Sequence, residues 1–134
     1  MAAAPVLDSY ALLAFLRGEP GEENVTALLE RAGERDQSLH MTEVNYAEVK
    51  YITVRKDGRP RWEEIAREMR ALPIEFHPID RGLSDIAADI KARHPLSLAD
   101  AFAAALAKAR KAELVTGDRE FAVIEKEIKI VWLK

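Results

Sequence analysis

The chain contains no cysteine, which excludes disulfides, thiolate metal ligands and a cysteine nucleophile. Glycine and proline are scarce, six of each among 134 residues, so collagen-like repeats and flexible linkers are excluded too. No apolar run approaches the roughly 20 residues of a membrane-spanning helix; the apolar start from Val6 to Leu16 is broken by Asp8. An excess of basic charge is also missing. Against 20 Lys and Arg stand 23 Asp and Glu, a formal net charge of -3, which argues against gripping nucleic acid through bulk charge. The amino terminus, Met1-Ala2-Ala3-Ala4-Pro5, lacks the basic region of a signal peptide, and a cytoplasmic location is expected. What remains, 49% hydrophobic and 32% charged, is the composition of one globular domain over residues 1–134.

Periodicity predicts alternating strands and helices. Val6-Leu7 reads as a strand, followed by a helix through Ala11, Leu12, Phe15 and Leu16, and Val25, Leu28, Leu29 and Ala32 mark a second helix. A strand over Ser38–Met41 leads to Thr42, placed to cap a helix whose stripe is Val44, Ala47, Tyr51 and Ile52. Trp62, Ile65, Ala66, Met69 and Leu72 predict the next helix, and residues 74–79 alternate like a strand. Leu83, Ile86, Ala87 and Ile90 line a helix before Pro95; a helix over 98–112, a strand over 113–117 and a last strand over 129–133 follow. Five short strands separated by helices give an α/β fold: a three-layer α/β/α sandwich around a mainly parallel five-stranded sheet.

In such a sheet the carboxyl ends of strands and the amino ends of helices share one edge, where ligands bind. Asp8, Glu43, Glu48, Asp80, Asp100 and Asp118 all fall at or near that edge. Singly, each has a bland role: Asp8 and Asp118 as caps, and Ser97-Leu98-Ala99-Asp100 as a capping box. Together they are costly, because two carboxylates about 4 Å apart repel by about 4 kcal/mol at an effective dielectric near 20. A cluster of them must bind cations or take up protons, and all-oxygen ligands favour Mg²⁺ or Mn²⁺ over zinc. His40, His77 and His94 are far apart in the sequence, form no metal-binding pattern, and read as structural or surface residues. No nucleophile elbow, Walker A loop or dinucleotide fingerprint is present.

Four segments carry a resemblance: Val6-Leu7-Asp8-Ser9-Tyr10-Ala11-Leu12-Leu13, Asn45-Tyr46-Ala47-Glu48-Val49, Leu96-Ser97-Leu98-Ala99-Asp100-Ala101 and Val115-Thr116-Gly117-Asp118-Arg119-Glu120-Phe121. In order and spacing the chain resembles PIN-domain nucleases, and among them the VapC-type toxins of VapBC toxin-antitoxin pairs. The resemblance implies that Asp8, Glu48, Asp100 and Asp118 are the catalytic, metal-binding acids, with Thr116 and Asn45 matching supporting positions. Glu43 is kept as an auxiliary candidate, and Ser9 and Thr116 as hydroxyls that orient carboxylates or satisfy backbone groups.

The expected activity is Mg²⁺- or Mn²⁺-dependent hydrolysis of RNA phosphodiester bonds. Arg119, Lys50, Arg55 and Lys56 are the candidate RNA contacts; the last three open a basic stretch that runs to Arg61 and that reads equally as a solvated surface. The resemblance further implies a homodimer and a VapB-type antitoxin, with Tyr46, Tyr51, Ile52 and Trp62 as apolar residues in excess of a strict helical stripe. Two alternatives stand beside this reading. One is a catalytically silent PIN-fold module that binds RNA or a partner. The other is a receiver-like phosphoacceptor domain, in which Asp80 and Lys134 would matter and Asp100 would have no role.

Overall fold

The computed structural model describes residues 3–134. Its sheet has five strands, β1 (Val6–Leu7), β2 (Leu39–Thr42), β3 (Ile74–His77), β4 (Leu114–Thr116) and β5 (Ile130–Trp132), in the order β3-β2-β1-β4-β5. Every neighbouring pair is parallel, so the mainly parallel sheet expected from the sequence is parallel throughout. Among the described residues six α-helices cover it: α1 (Ser9–Arg17), α2 (Glu22–Arg35), α3 (Glu43–Asp57), α4 (Arg59–Arg70), α5 (Arg81–Arg93) and α6 (Leu98–Arg110). A 3₁₀ helix over Arg119–Ile124, which periodicity does not reveal, precedes β5. Strand β3 stops at His77, two residues short of expectation, because Pro78 has no N–H for the ladder and Asp80 turns to cap α5.

Consecutive strand residues face opposite layers. Val6 and Leu114 pack with Leu83, Ala87, Ile90, Phe102 and Phe121 on the α5/α6 side. Leu7, Met41 and Val115 pack with Leu12, Val25, Val49, Trp62 and Ile65 on the other. Helix α6 is buried on every side from Ala101 to Leu106, since it lies between the sheet and α5, and its alanines let the backbones approach.

Helix α3 departs from the expected stripe. Its buried ridge is Asn45, Val49 and Thr53, while Ala47 and Tyr51 face outward. Tyr46 and Trp62 are core rather than surface residues: the Tyr46 ring packs edge-on against Trp62 at 5.7 Å and Phe76 at 5.4 Å. Tyr51, 47% exposed, remains free of the core.

The strand order also removes the receiver-like alternative, which needs β1 between β2 and β3. Here β1 lies between β2 and β4, and the direction of sheet growth reverses at β1/β4. A crevice opens beyond the carboxyl ends of strands at such a reversal.

Candidate active site

Asp8 leaves β1 and caps α1. Its Oδ1 accepts from the Ala11 N–H at 2.8 Å and its Oδ2 from the Thr116 hydroxyl at 2.5 Å. Thr116, at the end of β4, accepts in turn from the Asp118 N–H at 2.9 Å, so one hydroxyl locks two acids on adjacent strands. Asp118 caps the 3₁₀ helix through the Glu120 N–H at 3.0 Å. Asp100 sits in the first turn of α6, its N–H donating to the Ser97 capping oxygen at 3.1 Å. The capping roles read from the sequence are therefore real, and they are how the carboxylates are aimed.

The acids lie near enough for their charges to act on one another. Asp8 is 1% exposed, and burial pushes its carboxyl up to about 7 from 3.8. The hydrogen bonds from Thr116 and Ala11 oppose that shift, while the charges of Asp100 and Asp118 add to it. Asp100 is pushed up to about 6, first by burial, then by the charge of Asp118, with Glu48 and Glu120 adding to it against the Ser97 hydrogen bond. Oxygens of Asp100, Asp118 and Glu120 lie within 4.8 Å of one another. Glu120 is the residue that sequence reasoning missed; its place two residues after Asp118 was the available signal.

Glu43 stands exposed at the start of α3, and it is not among the charges that act most on Asp8 or Asp100. Asp80 spends its Oδ1 on the Leu83 N–H at 2.8 Å, at the edge strand, and does not join the group. Ser9 orients no carboxylate: its hydroxyl donates to the Asn45 carbonyl at 3.3 Å. Asn45 is the strut beneath the site. Its amide donates to Ser9 Oγ at 3.1 Å and to the Ala99 carbonyl at 3.3 Å, and its Oδ1 accepts from Thr42 Oγ1 at 2.5 Å. One buried side chain thus fixes α1, α3 and α6 to each other, the helices that carry Asp8 as cap, Glu48 and Asp100.

Three of the four basic candidates pair with aromatic rings. Arg119 lies over the Trp132 ring at 4.6 Å, Arg55 over Tyr51 at 5.1 Å and Lys50 over Trp62 at 5.8 Å, while Lys56 is exposed. Arg55 follows Glu48 by two helical turns, so both occupy one face of α3. Gly117 lies against Tyr10, and a Cβ at position 117 would run into that ring.

A family model described as PIN domain matches residues 6–127. The fold is similar to that of VapBC2 from Rickettsia felis bound to a promoter DNA fragment, at 12% identity and TM-score 0.78, covering 97% of this chain and 98% of that one. DNA-bound VapBC from Salmonella typhimurium gives 19% identity and TM-score 0.76, covering 98% of both chains. FitAcB from Neisseria gonorrhoeae gives 19% and 0.68, covering 94% and 95%. No curated protein matches the chain in sequence. With the family model spanning nearly the full length and the acids gathered at the β1/β4 crevice, the chain belongs to the PIN domain family.

Proposed function

We propose that residues 1–134 form one nuclease domain, a VapC-type toxin that hydrolyses RNA phosphodiester bonds with Mg²⁺ or Mn²⁺. The observation that carries this reading is the meeting of Asp8, Asp100 and Asp118, two of them pushed far above the ordinary carboxylate range by burial and by one another. A cation would relieve the mutual repulsion of these carboxylates, and the donors they offer it are all oxygen. Asp8, Asp100 and Asp118 would hold the ion, with Glu48 and Glu120 contributing directly or through water. Bound there, the cation supplies Lewis acidity toward a phosphate and acidifies water.

The chain's own residues do the rest. Thr116 holds Asp8 and Asp118 in register, Asn45 fixes the helices that present the acids, and no covalent nucleophile is required. Arg55 on Tyr51 and Arg119 on Trp132 provide positive charge beside aromatic faces at the rim, which suits a single strand whose phosphates and bases must both be held. Local charge of this kind offsets the repulsion between an acidic pocket and a polyanion. The similar structures are VapBC and FitAcB assemblies, which supports a VapB-type antitoxin as partner; a homodimer and action in the cytoplasm complete the proposal. No helix among the described residues is long and apolar enough to cross a membrane.

The test is an RNA cleavage assay in Mg²⁺ or Mn²⁺ with the wild type, Asp8→Asn and Asp100→Asn. Cleavage lost in both variants supports the reading, and equal activity in all three ends it. Light scattering of the purified chain tests the dimer: a monomer at every concentration removes it.

A further inference from the structure

On the α5/α6 face of the sheet, away from the acidic pocket, β2 and β3 bring together two histidines and a glutamate. The parallel register pairs His40 with Glu75 and Thr42 with His77, and strand alternation then puts His40, Glu75 and His77 on one face. His40 Nδ1 and His77 Nε2 are 2.8 Å apart, the one side-chain hydrogen bond that either ring makes among the described residues. The Glu75 carboxylate approaches the same two nitrogens, at 3.9 Å from His40 and 3.6 Å from His77. One ligating atom from each residue lies within 4.8 Å of the other two. Tetrahedral bonds of about 2.0–2.1 Å set ligand atoms about 3.3–3.4 Å apart; the two nitrogens lie inside that spacing, and the Glu75 oxygens, Oε1 toward His40 and Oε2 toward His77, lie a little outside it.

We propose that His40, Glu75 and His77 form a second metal site, for Zn²⁺ or a metal of similar preference such as Co²⁺ or Ni²⁺. Two imidazoles and one carboxylate are a nitrogen-rich set that Mg²⁺ does not favour and zinc does, so the two clusters select different ions. His40 is buried and kept uncharged, while Glu75, 59% exposed, leaves the cluster open to solvent at the edge strand. The ion would pin β3 to β2 just before Thr42, the residue that caps α3 and bonds Asn45. Arg110 of α6 places a positive charge near His40, so cation binding there depends on the negative charge of Glu75.

Chelator-stripped, desalted protein decides the matter, with thermal melts in equimolar Zn²⁺ or Mg²⁺ and a Co²⁺ titration read by visible absorption. Wild type and Asp100→Asn should both show a zinc-induced rise in Tm and the absorption of tetrahedral cobalt. His77→Ala should lose both, and Glu75→Gln, an exposed change that the fold tolerates, should weaken cobalt binding at least about tenfold. No zinc response in the wild type overturns the proposal. So does a response that survives both His77→Ala and Glu75→Gln, or one that disappears in Asp100→Asn. None of these readouts uses RNA cleavage, so the outcome is independent of the nuclease assignment.

Discussion

Two clusters of titratable groups sit on one sheet, and burial treats them in opposite directions to the same end. At the β1/β4 crevice Asp8 keeps its proton up to about pH 7; beside β2/β3 His40 refuses one until about pH 4, through burial and the nearby charges of Arg110 and His77. Both therefore shed charge, because a poorly solvated site penalises either sign. The difference lies in how each is held. The acids are fixed by a hydroxyl and an amide that bridge four elements, whereas the histidines rest on one strand pair. A rigid, oxygen-only group at a sheet reversal suits chemistry on an incoming phosphate, and an edge-strand group suits a clamp.

The largest effect expected is on catalysis. Asp8→Asn and Asp100→Asn should each lower RNA cleavage by at least about 100-fold, beyond the 10–100-fold that supporting residues cost at metal sites. His77→Ala should leave the rate within a few-fold when Mg²⁺ is saturating. Equal losses in the two clusters, measured by initial rates on one RNA, would erase the functional distinction between them.

Stability against pH sharpens the comparison, because the two clusters have opposite signs. Between about pH 4 and 7 the folded chain holds protons on Asp8, and up to about 6 on Asp100, that the unfolded chain has released, so this contribution falls as pH rises. For His40 the unfolded chain binds the extra proton between about pH 4 and 6.5, so its contribution rises with pH in that window. Two acids outweigh one histidine, and above pH 6.5 only Asp8 is still titrating. Metal-free protein should lose on the order of 2 kcal/mol between pH 5 and 8. Saturating Mg²⁺ or Asp100→Asn should flatten the slope, and a Tm that climbs over this range in chelator would contradict it.

The third effect concerns what holds the acids. Asn45→Ala removes partners from Ser9, Thr42 and the Ala99 carbonyl, and should cost about 2–4 kcal/mol in urea unfolding. A cost below 1 kcal/mol would mean that the strut is not what distinguishes this cluster. This residue also shows where the sequence is legible. The strands, the six α-helices and the gathering of Asp8, Asp100 and Asp118 follow from periodicity and from the rule that strand ends share an edge. The α3 ridge does not, because two of its three buried positions are polar and an apolar stripe points elsewhere. Glu120 enters the acidic group through a 3₁₀ turn that has no periodic signature, and His40 and His77, 37 residues apart, meet only through strand register.

The smallest effect is a control on buried polarity that serves neither cluster. Thr53 lies two turns beyond Asn45 on the same ridge of α3, fully buried, and its Oγ1 has no hydrogen-bond partner among the described residues. A helical threonine can donate to the carbonyl four residues earlier, but that bond is not made here. Valine keeps the shape and removes the unpaired hydroxyl, so Thr53→Val should stabilise the chain by about 1 kcal/mol, raising Tm by about 3–4 °C. The contrast with Asn45 is then a change of sign along one helix face: loss where buried polar atoms are paired beneath the acids, gain where one is stranded. If Thr53→Val destabilises instead, the hydroxyl has a partner such as a trapped water, and burial alone no longer separates polar groups that support the site from those that do not.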